Sequence, residues 1–514
     1  MRTATPRPRS RALAAAVAVA ALLATAACDD QSAGASSATG ATLSLAILGT
    51  PNSFDPTQLA EGQQAYVWGS LYDTLLIVDN QGHLRPGAAE SWKYSDEART
   101  LTLKLRKGMT FSTGSRVDSA AVKATLDRIR TTPGPNQVGL SAVASVETPD
   151  AGTVVLKLAH PDGALLSQLA EAAGVIGDPK TLTAKRTALN PVTSGPYTLD
   201  KGATVNGSVY VLQRRDDYWD KKAYPFRTVK IRVISDRTAA VNALKSGEIN
   251  AGSVEAAQVG TLKSAGFDVR HVAATATGDL VLADRAGEVL KPLADVRVRR
   301  AINMAFDREK IVKQILQGSG KPTEQVFNPK GQGYDAALDQ TYSYDPAAAK
   351  KLLAEAGYPG GFSVTMPSLV FTKPFEPTIT QSLADVGIKV KWQTVPPQQN
   401  VSALSSKKYP IFFILDGLNA DPAQTQLNFA PSGARNVFGS ADPQLTKLMD
   451  RADSETDTAK AADIYQQINS FVVQNAWNAP VFYVGTYWVT KKGITYLGDG
   501  SSVFSTIRQF GASG

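Results

Sequence analysis

One cysteine, Cys28, serves all 514 residues. A single thiol closes no disulfide within the chain, and it cannot build a metal staple that needs two or four thiolates. Whatever folds here is therefore held together by packing. The hydrophobic content of 43% is ordinary for a globular protein. At this length the chain is expected to form two or three domains with well-buried cores.

The position of that cysteine matters as much as its solitude. Arg2, Arg7, Arg9 and Arg11 open the chain with no acid to offset them, and Ala12 to Ala27 carries no charge. This apolar run is too short to cross a hydrocarbon core of ~30 Å, which takes about 20 residues. A basic start, a short apolar run and small residues before a break mark residues 1–27 as a secretory signal peptide. Within residues 1–27 no two arginines are adjacent, so the general export route is expected and not the twin-arginine one. Thr25-Ala26-Ala27-Cys28 resembles the lipobox of bacterial lipoproteins, with Thr25 where that motif usually has leucine. The resemblance implies lipid attachment at Cys28 and an anchor on the outer face of the cell membrane, or a periplasmic location. Residues 28–40, polar and small, read as a tether.

Removing the signal also changes the charge. The chain has 54 Lys+Arg and 46 Asp+Glu; four arginines leave, so the balance falls from +8 to 50 − 46 = +4. That is no nucleic-acid footprint, and no nucleic-acid partner is expected.

Periodicity divides the remainder into mixed elements. "ATLSLAIL" alternates as a strand, and Val67, Leu71 and Leu75 recur at helical spacing. "TLTLKLRKGMTF" puts Leu101, Leu103 and Leu105 on one face of a strand. "DSAAVKATLDRIR" reads as a helix capped by Asp118, "GTVVLKLA" as a strand, and residues 208–235 as two more. A helix is expected from an Asp236 cap to a Gly247 stop. "DVRVRRAINMAFDREKIVKQIL" is amphipathic, with a break near Asp307. Asp345-Pro346 opens a helix that Gly357 ends, Asp442-Pro443 opens another, and Asp421 is expected to cap the segment beginning at Pro422. "AADIYQQINSFVVQNA" is a further amphipathic helix before the strands of "APVFYVGTYWVT". The fold class is α/β.

Catalytic chemistry is sparse. His83, His160 and His271 are too dispersed for metal ligation, and neither H-E-x-x-H nor G-x-S-x-G occurs. "GQGYDA" has Ala336 where a dinucleotide loop needs its third glycine. "QGSGK" has Ile315 where a phosphate loop needs its first. No enzyme activity, metal or cofactor is expected.

Five stretches in order carry a resemblance. They are Val67–Ile129, with its Tyr-Asp turn, Pro-Gly-x-Ala-Glu-Ser-Trp and Leu-Arg-Lys-Gly-x-x-Phe; Asn190–Leu199 with Arg214–Trp219; Thr238–Gly252; Lys291–Val312; and Ala348–Gly361. Together they closely resemble the family 5 extracellular solute-binding proteins, receptors of peptide and nickel ABC importers. Trp92 and Phe111 in these blocks read as core anchors, and Gly195 and Pro196 as turn residues. The resemblance implies a two-lobed periplasmic-binding-protein-like fold of type II, in the large peptide-receptor class with an additional domain. Residues 41–80, 191–275 and 486–514 are expected to form lobe I, 81–190 the additional domain, and 276–485 lobe II. It implies a monomer that captures a peptide or similar small solute between closing lobes and passes it to an ABC permease and ATPase complex.

In the peptide-binding relatives an aspartate four residues before a proline pairs with the ligand amine. Here the proline is Pro422 and the matching residue is Leu418. Asp416, two residues upstream, is the acid that could take over, in the stretch Leu415, Asp416, Gly417, Leu418 and Asn419. By position the other cleft candidates are Glu61, Gly62 and Gln63, then Thr275 and Thr277, then Tyr483. The ordinary readings of these residues are loop, turn and core. Leu418 also keeps open a receptor for a nickel chelate, oligosaccharide or opine, as would Trp68, Trp392 and Trp488 if they line the cleft. An exported hydrolase has only export and size in its favour.

Overall fold

Strand Thr42–Ile47 runs parallel to Thr228–Val233, with Leu43 opposite Val229 and Leu45 opposite Ile231. Val209–Arg214 and Tyr197–Leu199 complete a four-stranded sheet in the order 42–47, 228–233, 209–214, 197–199. The computed structural model describes residues 42–502 and 504–512; the export segment, Cys28 and the tether lie outside them. Between the first and last of these strands the chain builds a separate antiparallel sheet, ordered 89–95, 100–105, 153–158, 143–150. Leu101, Leu103, Val154 and Leu156 are fully buried on its inner face, under helix Ser119–Thr131.

A five-stranded sheet forms the middle of the molecule: Ala251–Val254, Ala479–Thr490, Asp268–Leu282 and Ile411–Gly417 in order, with Lys321–Pro322 against the second. Two of its strands are long, and their pairing is interrupted. Asp268–Val272 pairs with Thr486–Thr490, then a register shift intervenes, and Ala276–Leu280 pairs with Ala479–Val484. Val489 belongs to one apolar core with Leu244, Ile249 and Phe267. Leu280, Leu282, Ala479 and Val481 belong to another, with Val298, Ile302, Met366 and Ile388. The same two strands thus pass from one core to the next without a loop. "APVFYVGTYWVT" is one strand and not several.

Local punctuation fixes most helix ends. Asp236, Asp345 and Asp442 each accept a backbone N–H in the first turn, and Gly247 and Gly357 take left-handed φ of 80° and 94°. The amphipathic run 295–316 divides into Val296–Met304 and Arg308–Ile315, with Asp307 capping the second. Asp345→Ala removes a cap that accepts from Ala348 at 2.9 Å. It is expected to lower the unfolding free energy by about 1 kcal/mol, read as a urea midpoint shift at constant slope.

Two expectations are corrected. The helix that begins at Ala65 stops at Leu71, and Tyr72 is extended at φ −118° and ψ 140°. Gly195 donates to the Leu71 carbonyl at 2.9 Å, and a Cβ on Gly195 would lie 2.8 Å from Leu71 and Tyr72 backbone atoms. A neighbouring backbone therefore occupies the space a further helical turn needs, and Leu75 is buried outside the helix. Asp421 is the first residue of helix Asp421–Phe429, whose N-cap is Ala420. The Asp421 carboxylate instead accepts the Gly333 N–H at 2.7 Å.

The blocks that carried the resemblance meet inside the fold. Tyr218 donates its hydroxyl to Asp73 at 2.6 Å, and Arg215 donates to the carbonyls of Ser194, Gly195 and Thr110. Phe111 is buried, and Trp92 is half-buried against the same core. These residues hold segments together.

Candidate functional site

The register of the middle sheet brings three candidate segments side by side. Ala276 lies opposite Gly417, Thr277 opposite Asp416, and Gly278 opposite Leu415. On its other edge Thr277 faces Tyr483. Thr277 and Asp416 form a cross-strand pair, and Asp279 comes after Thr277 by the two-residue repeat that keeps side chains on one face.

That face is polar and buried. Asp416 receives Arg435 through both oxygens, at 2.5 and 2.6 Å, in the bidentate geometry a guanidinium fork favours. Asp279 is 1% exposed; one oxygen accepts from Asn478 at 2.7 Å and the other has no protein partner. Burial pushes the Asp279 carboxyl up to about 8, the charge of Asp416 pushes the same way, and Arg285 opposes it. Arg285 in turn donates to Asn436, Asn478 and the Trp477 carbonyl. Thr277 keeps a buried hydroxyl without a partner. The layer is thus a carboxylate clamped by one arginine beside a second that is protonated at neutral pH. It can orient a polar group but has no activated nucleophile.

The loop after strand Ile411–Gly417 is the more open part. Gly417 is exposed, Leu415 and Asn419 are half-buried, and Leu418 is 1% exposed. Asn419 donates to the Gln424 side chain at 2.9 Å. Leu418 packs with Ala274 and Tyr483. The Tyr483 hydroxyl donates to the Phe327 carbonyl at 2.6 Å and the ring is fully buried. Thr275 is exposed, and its hydroxyl bonds the Val484 carbonyl. Thr275, Thr277, Leu415–Asn419 and Tyr483 therefore gather where strand Ile411–Gly417 ends, beside the register break of the two long strands.

Glu61, Gly62 and Gln63 stand apart, on a turn before helix Ala65–Leu71. Gly62 needs its φ of 78°. Gln63 accepts from the Leu48 N–H at 2.9 Å, and Glu61, exposed as a residue, accepts from Ala172 N–H at 2.9 Å. Glu171 lies close by. Burial lifts both carboxylates above their ordinary range, and Glu61 adds to the shift of Glu171.

Arg435, Asp279 and Asn478 escaped the sequence reading. Arg435 sits 19 residues beyond Asp416, a spacing with no helical or strand meaning. The tryptophans are committed elsewhere: Trp68 Nε1 to the Ala60 carbonyl, Trp392 Nε1 to Thr380, and Trp488 stacked on Tyr496 at 4.4 Å. Among the described residues no group of His, Cys, Asp or Glu has metal-ligand geometry, and no helix is long and apolar enough to cross a membrane.

Known proteins share this chain's sequence pattern and fold. The family model for bacterial extracellular solute-binding proteins, family 5 Middle, matches residues 83–437. The glutathione-binding protein GsiB of Escherichia coli K12 is 27% identical over 452 residues, covering 82% of this chain and 85% of that protein. The structure of AgaA from A. tumefaciens R10 in complex with agropinic acid superposes with a TM-score of 0.76 at 26% identity, over 92% of this chain and 99% of that one. DppA from Helicobacter pylori, in complex with the peptide STSA, has the same fold at 22% identity, with a TM-score of 0.75 over 92% and 98% of the two chains.

Proposed function

Since the chain belongs to the bacterial extracellular solute-binding proteins of family 5, we propose that it is the lipid-anchored receptor of an ABC importer for peptides or similar small solutes. It binds; it does not turn substrate over. The observation that carries the reading is the arrangement of the middle sheet. Two strands run continuously from one apolar core to another, and the candidate loop 415–419 lies beside their register break. Such a crossing lets one lobe rotate against the other while the strands persist, the hinge type of closure. We place lobe I in residues 41–80, 191–275 and 486–514, the additional domain in 81–190 and lobe II in 276–485. Ligand is held between the lobes by Thr275, Leu415–Asn419 and the turn at Glu61–Gln63, with Thr277, Asp416 and Tyr483 behind them. Affinity arises from the difference between open and closed forms. Lipid on Cys28 keeps a monomeric receptor near its permease and raises its effective concentration there.

A second reading, a solute without a free amine such as an opine, is favoured by the Asp416–Arg435 pair. A carboxylate already forked by arginine offers an amine less, and Leu418 supplies no other acid.

Native mass spectrometry of the full chain, taken from the membranes of its own host, tests the reading. A co-purified peptide and a diacylglycerol-sized increment at Cys28 are expected. A non-peptide adduct, with flat calorimetric traces for di- and oligopeptides, replaces the first reading by the second. A protein mass without lipid refutes the anchor alone.

A further inference from the structure

Helix Asp421–Phe429 starts at the candidate loop and ends about 13 Å away, at 1.5 Å per residue, against helix Pro443–Ser454. Between its far end, the 430–441 loop and Trp477 lies a cavity of about 210 Å³. None of the candidate residues above lines it. Its floor is apolar: Phe429, Leu445, Met449 and Trp477, all buried in one cluster. Phe429 and Trp477 meet edge to face at 6.3 Å.

Its polar side has one sign. Asp442, Asp450 and Asp453 line the cavity, and among the described residues no lysine or arginine does. Lys447 and Arg451, on the same helix, lie about 160–200° round the axis from Met449, on the opposite face. Asp442 is used as the helix cap, accepting from Gln444 at 2.8 Å. Asp453 accepts from Gly163 N–H at 3.2 Å and from Gln426 at 3.0 and 3.2 Å. The charged groups acting on it are Asp162 and Asp450, both carboxylates; with burial as the larger cause, its carboxyl is pushed up to about 6. Arg285 lies over the Trp477 ring at 4.6 Å, and its three nitrogens donate to Asn436, Asn478 and the Trp477 carbonyl.

From this charge complementarity we infer that the cavity between Phe429, Met449, Trp477 and the carboxylates of Asp450 and Asp453 is an accessory binding site for a small organic ammonium ion carrying an apolar ring. An apolar cavity of ~150 Å³ holds a benzene. The volume here takes a ring on the Phe429–Trp477 floor and an ammonium group at the carboxylates. An ammonium donates three hydrogen bonds and needs no fixed geometry, which suits carboxylates of which one already accepts from amide donors. The site goes beyond the importer reading, because it shares no residue with the proposed interlobe site.

The probe is 2-phenylethylammonium, titrated into the mature chain with tryptophan fluorescence and calorimetry. Expected is saturable one-to-one binding, weakened about twofold to fivefold in Asp450→Asn and further in the Asp450→Asn/Asp453→Asn double variant. Asp450 is exposed, so its single variant keeps the fold even if loss of the Gly163 contact harms the double one. 2-Phenylethanol, of the same shape without charge, is expected to bind at least about tenfold more weakly. Absence of saturable binding overturns the proposal. So does equal affinity for the alcohol, or undiminished binding in the double variant, which would move the amine to another site.

Discussion

Arg435→Met is expected to destabilise the protein by about 3–5 kcal/mol, the cost of removing one partner from a buried ion pair. The guanidinium forks both oxygens of Asp416, whose side chain is 12% exposed against 17% for the arginine. Without it Asp416 is a buried anion beside Asp279, which has its own unpartnered oxygen. Met matches the stem of arginine in bulk, so the loss reports the charge and its hydrogen bonds. The double variant Arg435→Met/Asp416→Leu is expected to recover most of it, because replacing both charges removes the desolvation cost along with the attraction. Urea midpoints at neutral pH decide the matter. A single variant as stable as the parent would mean that water already solvates Asp416. Asp279 adds a pH dependence. Its folded carboxyl titrates near 8 and its unfolded one near 4, so between those values the folded state holds a proton that the unfolded state lacks. Stability contributed by that proton is full at low pH and falls as pH rises through about 8. Asp279→Asn is expected to flatten that slope, so that it loses less stability than the parent between about pH 5 and 8.

The sequence revealed what depends on neighbours along the chain and hid what depends on register. Asp236, Gly247, Asp307 and Asp345-Pro346 could be placed because a cap and its helix lie within a few residues of one another. Asp421-Pro422 carries the same signature and behaves differently, since the Gly333 N–H, 88 residues away, takes the carboxylate. Leu75 continued a helical repeat that the backbone at Gly195 interrupts. The juxtaposition of Thr277 with Asp416 arises from strand pairing across a long stretch of chain, which no local pattern encodes. Asp416 could be picked as an acid near the expected place, but Arg435 could not, because nothing in its spacing marks it as a partner. The five ordered blocks recovered the family for a different reason. In the first two of them Asp73, Ser194, Gly195 and Arg215 form one interlocked set, a constraint that spans distant parts of the chain.

Gly485→Ala is expected to be among the more damaging single methyls in the described residues. Gly485 lies where the strand Ala479–Thr490 changes partners, and a Cβ there would fall 1.6 Å from the Ser319 carbonyl oxygen and 3.0 Å from that of Val272. Both obstacles are backbone, so no rotamer change relieves the overlap. One of the strands must move, and the register break between the two cores moves with it. Overpacking typically costs about 1–3 kcal/mol when side chains can yield; here the loss is expected at about 3 kcal/mol or more. Gly260→Ala is the control. Gly260 sits inside helix Ala256–Ser264 with nothing within 4 Å of its added methyl, so alanine there is expected to stabilise by about 0.5–1 kcal/mol. Thermal unfolding of the two variants beside the parent separates them. If both move upward, or neither moves, the close approach at Gly485 is absent in solution. If Gly485→Ala falls and also weakens binding of the co-purified solute in material still folded at room temperature, the crossing of the two strands is coupled to ligand capture, because closure requires the geometry that the methyl disturbs.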